Sequence, residues 1–300
     1  MRRYFNPSVA DRDLKYYIFD WDDNILHMPT RIHLERKTDD GKWVPHQVST
    51  SLYAVIRKDT ENYRAPDGNW EKAFAEFRDF ESDDESKFLK DARTAIANTE
   101  QGTQNVPPSF NTFRRTLIEG RLFAIVTARG HKSSTLRKGV EMFIDKVLSL
   151  AEKEQMMFNL RGYVACFEGE DANNRKTNET ILDDYLSLNK YHAVTSPAFR
   201  VLAEKSNIPD IESSEARKQF AIMDFLEHLF TIIERIGITK PISVGFSDDD
   251  QENVRAVSAF ISKNLTTRFP GVRFVVYDTS DPSIEQGRKI VVAGQMELDF

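Results

Sequence analysis

Two carboxylates one residue apart, Asp20 and Asp22 in IFDWDDNIL, end the apolar run KYYIFD. Aspartates that close repel each other, and each tends to keep a proton unless a cation or hydrogen-bond donors compensate. A hard divalent ion such as Mg²⁺, which prefers oxygen ligands, supplies that compensation. A second acidic group, Asp248, Asp249 and Asp250 in VGFSDDDQEN, also follows an apolar run. IVTARG sets the hydroxyl of Thr127, then a turn at Arg129-Gly130, in the same relation to another. Any one of these reads equally well as a solvated turn. Three of them, in an order that a single parallel sheet brings to one edge, point to a shared site.

The elements that would position these residues are short apolar segments. Lys15 to Asp20, Leu122 to Thr127, Pro241 to Asp249 and Val272 to Asp278 read as buried parallel strands, and GYVACF at Gly162 to Phe167 reads as a further one holding Cys166 as a buried strand residue. Between them lie helix-period segments such as KQFAIMDFLEHLFTIIERIG and ENVRAVSAFISKNL, in which Val254, Val257, Ile261 and Leu265 share a face. The alternation implies an α/β fold, a doubly wound, mainly parallel sheet with helices on both sides, whose ligands bind beyond the carboxyl ends of the strands. Residues 31–108 break the alternation and read as an inserted α+β cap, with residues 1–30 and 109–300 forming the core. Within the insertion, RIHLERKTDDGKWVPHQV predicts a hairpin turning at Asp40-Gly41, with Ile32 and Leu34 on one face. SLYAVIRKD, NWEKAFAEFRDF and ESKFLKDARTAIANTE predict three helices. Glu168 to Ser214 is irregular and suits a smaller insertion.

An Asp-x-Asp after one strand, a Thr ending a second, a Lys opening a helix and paired Asp after a later strand resemble the motifs of the haloacid dehalogenase (HAD) phosphohydrolases. The resemblance implies a Rossmann-like core with a mobile cap. It also implies a Mg²⁺-dependent phosphomonoesterase in which Asp20 is the nucleophile and passes through an aspartyl phosphate. Asp22 would be the acid and then the base. Thr127 would hold a phosphoryl oxygen, and Lys218 would offset the charge gathered there. Asp20, the main-chain carbonyl of Asp22, Asp248 and Asp249, directly or through water, would hold the metal. Lys218 is chosen because Ser-Ser-Glu-Ala-Arg ahead of it can cap its helix, with Arg217, Lys205 and Lys190 as rivals. Asn24 stands where phosphatases of the family usually carry Thr or Val. The competing readings are a HAD-fold binding or regulatory protein with little turnover, a phosphotransferase or polynucleotide phosphatase, and, ranked last, a receiver-like phosphoacceptor.

Composition narrows the field. Of 300 residues 40% are hydrophobic, enough for one elaborate domain or a core with an accessory one, and a formal charge of −6 argues against a surface built to grip nucleic acid. The single cysteine excludes an intramolecular disulfide and fits a reducing compartment. No run approaches a membrane span, so a cytoplasmic address is expected. The partner expected is a small phosphorylated molecule, with a nucleic-acid end as the alternative and no membrane. His27, His33, His46 and His131 are too irregularly spaced for zinc and read as solvated or core residues. Trp43, Trp70, Phe74, Phe77 and Phe80 could line a pocket but read more simply as packing. The basic stretch Lys132 to Lys138 reads as a charged helix start and the acidic run Glu81 to Glu85 as solvated. No GxxxxGK[ST] or GxGxxG sequence occurs, so nucleoside triphosphate and dinucleotide binding have no support.

Overall fold

The computed structural model describes residues 13–205, 213–237 and 240–293. Parts of the expected core, residues 1–12, 206–212, 238–239 and 294–300, therefore lie outside the described residues. The chain runs β1 (Leu14–Phe19), β2 (Ile32–Lys37), β3 (Trp43–Val48), α1 (Thr50–Ile56), β4 (Tyr63–Arg64), α2 (Trp70–Ala73), α3 (Lys87–Glu100), α4 (Phe110–Ile118), β5 (Phe123–Thr127) and α5 (Ser133–Val147). It continues through α6 (Leu150–Glu168), α7 (Glu170–Arg175), α8 (Asn178–Leu188), β6 (Lys190–Ala193), α9 (Pro197–Glu204), α10 (Ser214–Ile236), β7 (Ile242–Asp248), α11 (Gln251–Phe260), α12 (Thr266–Arg268), β8 (Val272–Asp278) and β9 (Arg288–Ala293). Among these residues no helix is long and apolar enough to cross a membrane.

Six strands form one sheet in the order β6-β5-β1-β7-β8-β9, all parallel except β9, which returns antiparallel along β8. Because successive strand side chains point to opposite faces, β1 contributes to two cores at once. Phe19 packs with Phe113, Phe123 and Phe143 on one side, and Ile18 packs with Phe225, Phe246 and Leu229 on the other. Helices α3, α4, α5, α6 and α8 cover the first face, and α10 and α11 cover the second. The fold is thus mixed α/β around a mainly parallel sheet.

Register decides what emerges at the sheet edge. Phe19 pairs with both Ile125 of β5 and Ser247 of β7, and the ladder runs one step further through Asp20 N–H donating to Ser247 O at 3.0 Å. Asp20, Thr127 and Asp248 consequently leave three adjacent strands at one edge. Helix α10 begins at Ser213, which caps it by accepting from Ala216 N–H at 3.0 Å, and its second turn brings Lys218 to the same edge.

The chain between β1 and α4 builds a second, three-stranded antiparallel sheet, β3-β2-β4, with its own small core of Ile32, Leu34, Val48, Ala65, Ala73 and Phe77. The hairpin pairs as its alternation and Asp40-Gly41 turn require, and Gly41 takes the left-handed φ of 81° that the turn demands. Of the three helices expected here, α1 and α3 form. NWEKAFAEFRDF instead breaks into the one-turn α2 and a 3₁₀ turn over Ala75–Phe77. Phe77 is buried there, whereas Trp70 and Phe80 stay exposed. Helix α3 meets α5 closely enough to need Gly139, where a Cβ would stand 2.5 Å from the Phe88 ring.

Two further expectations are corrected. GYVACF is not a strand but the last two turns of α6, and Cys166 lies exposed on that helix. The strand beside β5 is instead the four-residue β6, within the stretch read as irregular, which also holds α7, α8 and α9.

Candidate active site

The sheet edge and the 31–108 segment enclose a cavity of about 550 Å³. Asp20, Asp22, Thr127, Lys218, Asp248 and Asp249 all line it, so the residues singled out from sequence are brought together. Its center is the Lys218 ammonium, which is buried and donates to Asp20 Oδ1 at 3.1 Å and to Asp248 Oδ2 at 2.6 Å. Burial works against that positive charge, but the two carboxylates outweigh it and hold the lysine protonated well above its ordinary range. The rivals lie elsewhere. Lys190 opens β6 and pairs with Asp224, Lys205 caps α9, and Arg217 is buried one residue before Lys218.

The carboxylates are held by several donors. Asp248 Oδ1 accepts from Asp250 N–H at 3.0 Å and Asn253 Nδ2 at 3.2 Å, both at the start of α11. Asp20 has its carboxyl pushed up to about 8, first by burial, with Asp248 and Asp22 adding to the rise and Lys218 opposing it. Asp249, only partly buried, is also held well above the usual carboxylate range by desolvation and by Asp20, Asp248 and Asp23. Burial and mutual repulsion of these acids thus outweigh the one ammonium set among them.

That imbalance is the test of a metal. The hard oxygen donors of Asp20, Asp248 and Asp249, which line one cavity, suit Mg²⁺ by type. No group of three or more His, Cys, Asp or Glu spaced to cage an ion exists among the described residues. Mg²⁺ needs no such cage, since it keeps several waters and typically takes one or two carboxylates together with substrate phosphate.

Asp22 has a partner that sequence reasoning missed. Arg129, fully buried, forks onto it, donating from Nε to Oδ2 at 2.7 Å and from Nη2 to Oδ1 at 2.5 Å. Nη2 also donates to Thr30 Oγ1 at 2.7 Å, and that hydroxyl donates onward to Asp91 at 2.6 Å. Phe77 and Phe88 cover the guanidinium at 4.7 and 5.2 Å. The signal for this role was in the sequence: an arginine two residues beyond the strand-ending Thr127, on the same turn.

Asn24 is likewise a fixed part. Its Nδ2 donates to Asp20 O at 2.9 Å and Ser247 Oγ at 3.0 Å, and its Oδ1 accepts from Thr279 at 2.9 Å, so it ties the ends of β1, β7 and β8 together. Asp23 turns the chain between Asp22 and Asn24 with a φ of 51°, and its carboxylate accepts from Thr50 at 2.6 Å. Short polar side chains tolerate that conformation.

The histidines stay out of the site. His27 pairs with Asp23 and His33 with Glu76, His46 lies beside Tyr63, and His131 is buried against Phe88 with both ring nitrogens unpartnered. Burial and neighboring Arg129 lower His131 to about 3, which keeps it neutral. The aromatic residues need a correction. Phe77 is buried as expected, but Trp70 and Phe80 are exposed, and Trp70, Phe74 and Phe77 line the cavity together with Tyr53. No protein-family model, curated protein or solved structure matches this chain.

Proposed function

We propose that this chain is a HAD-type, Mg²⁺-dependent phosphomonoesterase, with a Rossmann-like core, the 31–108 segment, less α3, which packs into the main core, as its cap and Asp20 as its nucleophile. The observation that carries the reading is the Lys218 ammonium bridging Asp20 and Asp248 beneath a cavity that Thr127 also lines. In an in-line displacement an Asp20 oxygen bonds to phosphorus while the ester P–O bond breaks, and water then cleaves the aspartyl phosphate. Asp22 stands beside Asp20 as the proton-transfer group, the Thr127 hydroxyl donates to a phosphoryl oxygen, and Lys218 offsets the charge that gathers there.

Asp20, Asp248, the Asp22 carbonyl and Asp249, directly or through water, would hold Mg²⁺, which screens the anionic nucleophile from the anionic phosphate. The acidic crowding around one ammonium supports this assignment. The two-sided cavity supports a substrate small enough to be enclosed, and closure over it would exclude water from the reacting bonds.

The test is phosphate release from para-nitrophenyl phosphate with purified protein. Release should require Mg²⁺, stop with a chelator and vanish in a folded Asp20→Asn variant. Retention of full activity in that variant ends the proposal. Absence of turnover across phosphorylated metabolites and oligonucleotide ends would favor a binding protein on the same fold.

A further inference from the structure

Resting on the phosphatase reading above, we propose that the substrate is a small molecule carrying two phosphate groups. One phosphorus faces Asp20, and the other phosphate, on the order of 10 Å away, is received by Arg200 and Arg78.

Charge pairing around the cavity leaves one guanidinium over. Lys218 is spent on Asp20 and Asp248, Arg129 on Asp22, and Arg57 on Asp250 and Glu252. Arg200 lines the same cavity, is exposed, and has no carboxylate within ion-pair reach among the described residues. Arg78 pairs among them only with Glu71, at 3.1 Å, and with 76% of that side chain exposed, water competes for it. A guanidinium presents its donors as a planar fork that matches two phosphate oxygens at once, so phosphate is the ligand chemistry that suits these two residues.

Position separates this charge from the reacting end. Ala193 of β6 pairs with Thr127 of β5, and Asp20 follows β1 on the other side of β5. The chain after β6 thus leaves the edge two strand spacings from Asp20, on the order of 10 Å at ~4.8 Å each. There Thr195 Oγ1 donates to Ala128 O at 3.0 Å, Ser196 caps α9 by accepting from Phe199 N–H at 3.2 Å, and Arg200 follows one residue later. Arg78 reaches the same place from the 31–108 segment. Gly130 N–H donates to Phe77 O at 2.9 Å, and a Cβ on Gly130 would stand 3.1 Å from Thr195 Oγ1 and 3.4 Å from Arg78 Cγ. The stem of Arg78 and the approach to α9 therefore meet over Gly130, and both arginines line the cavity whose acids lie at the other strands.

The experiment compares hexyl phosphate with the same ester bearing a terminal phosphonate, which adds a phosphate-like anion that cannot be hydrolysed, both with Mg²⁺. The phosphonate ester should be favored in kcat/KM by about 10-fold or more, the worth of a charge-assisted hydrogen bond, chiefly through a lower KM. An ethyl phosphate bearing the same phosphonate, too short to span two strands, should gain much less over ethyl phosphate. Arg200→Gln should bring the hexyl preference close to unity while Tm stays near the native value, and Arg200→Lys, which keeps the charge, should retain part of the preference. Equal kcat/KM for the two hexyl esters, an equal gain in the ethyl pair, or a preference undiminished in Arg200→Gln would overturn the second-phosphate assignment alone. If no ester releases phosphate, or release survives in a folded Asp20→Asn variant, the phosphatase reading falls and this one falls with it.

Discussion

Lys218 is a cation that the fold has removed from water and spent entirely on two acids, Asp20 and Asp248. Lys218→Met should therefore act twice. Turnover should drop by about 100-fold or more, as when a preorganised donor is removed. Stability without Mg²⁺ should fall by about 3 kcal/mol, the usual result of leaving buried charges unpaired, and added Mg²⁺ should restore part of it. Thermal unfolding with and without the ion, beside phosphate release, separates the two effects. Asn24→Ala strips a donor from Ser247 and an acceptor from Thr279, both buried, and should cost about 1–3 kcal/mol in denaturant unfolding. At this scale legibility followed locality. Asp20, Asp22, Thr127, Asp248 and Asp249 could be read because each ends an apolar strand, and Lys218 because a cap precedes it. Asn24 draws its meaning from partners as far as 255 positions away, which no local spacing reveals, and Arg129, though its place beside Thr127 was visible, is explained only by its fork onto Asp22, 107 positions back.

Among the elements, β6 is the strand beside β5, four residues long, and it is held from outside the ladder by α10. Asp224 of that helix accepts from His192 at 2.9 Å and pairs with Lys190 at 3.1 Å. Burial alone would raise the Asp224 carboxyl, but His192 and Lys190 overcome it and lower the group to about 2. A depressed folded-state value means that the stabilisation is complete above the ordinary carboxylate range and is lost as pH falls from about 4 toward 2. Asp224→Asn should therefore be less stable than the native chain by about 1 kcal/mol at neutral pH, after discounting for partial exposure. The gap in Tm should close through that acid window, and a constant gap would deny the linkage. The same strand was illegible in the sequence for a related reason. Lys190 and His192 break its apolar pattern, and the pairing that makes it a strand is nonlocal. GYVACF failed the opposite way, since a short apolar run without its flanks fits a strand or a buried helix turn equally. The nineteen-residue α6 opens at Ser149 with a capping box, a signal thirteen residues upstream of that run.

On the scale of the whole molecule, alternation of apolar runs and helix-period segments made the mainly parallel sheet readable, whereas the packing of α3 into the main core and the way the residues before it meet the sheet edge were not. That meeting is electrostatic as well as apolar. Arg57, which caps α1, pairs with Asp250 at 3.0 Å and Glu252 at 2.5 Å, and Lys58 joins the same Glu252. Both acids lie at the start of α11, immediately beyond Asp248 and Asp249, so the cluster bridges the two walls of the cavity. Being exposed or partly exposed, such pairs contribute little to stability and weaken as salt screens them. That is too little to govern folding, but the cluster acts where residues before β4 meet the sheet edge across the cavity. Arg57→Ala should accordingly unfold near the native temperature while KM for para-nitrophenyl phosphate rises several-fold and kcat changes less. The native protein should approach the variant's KM as ionic strength is raised to about 0.5 M, whereas the variant itself should respond weakly. If KM is equally salt-dependent in both, screening acts on the substrate's own charge, and the Arg57 cluster is not what holds the two walls together.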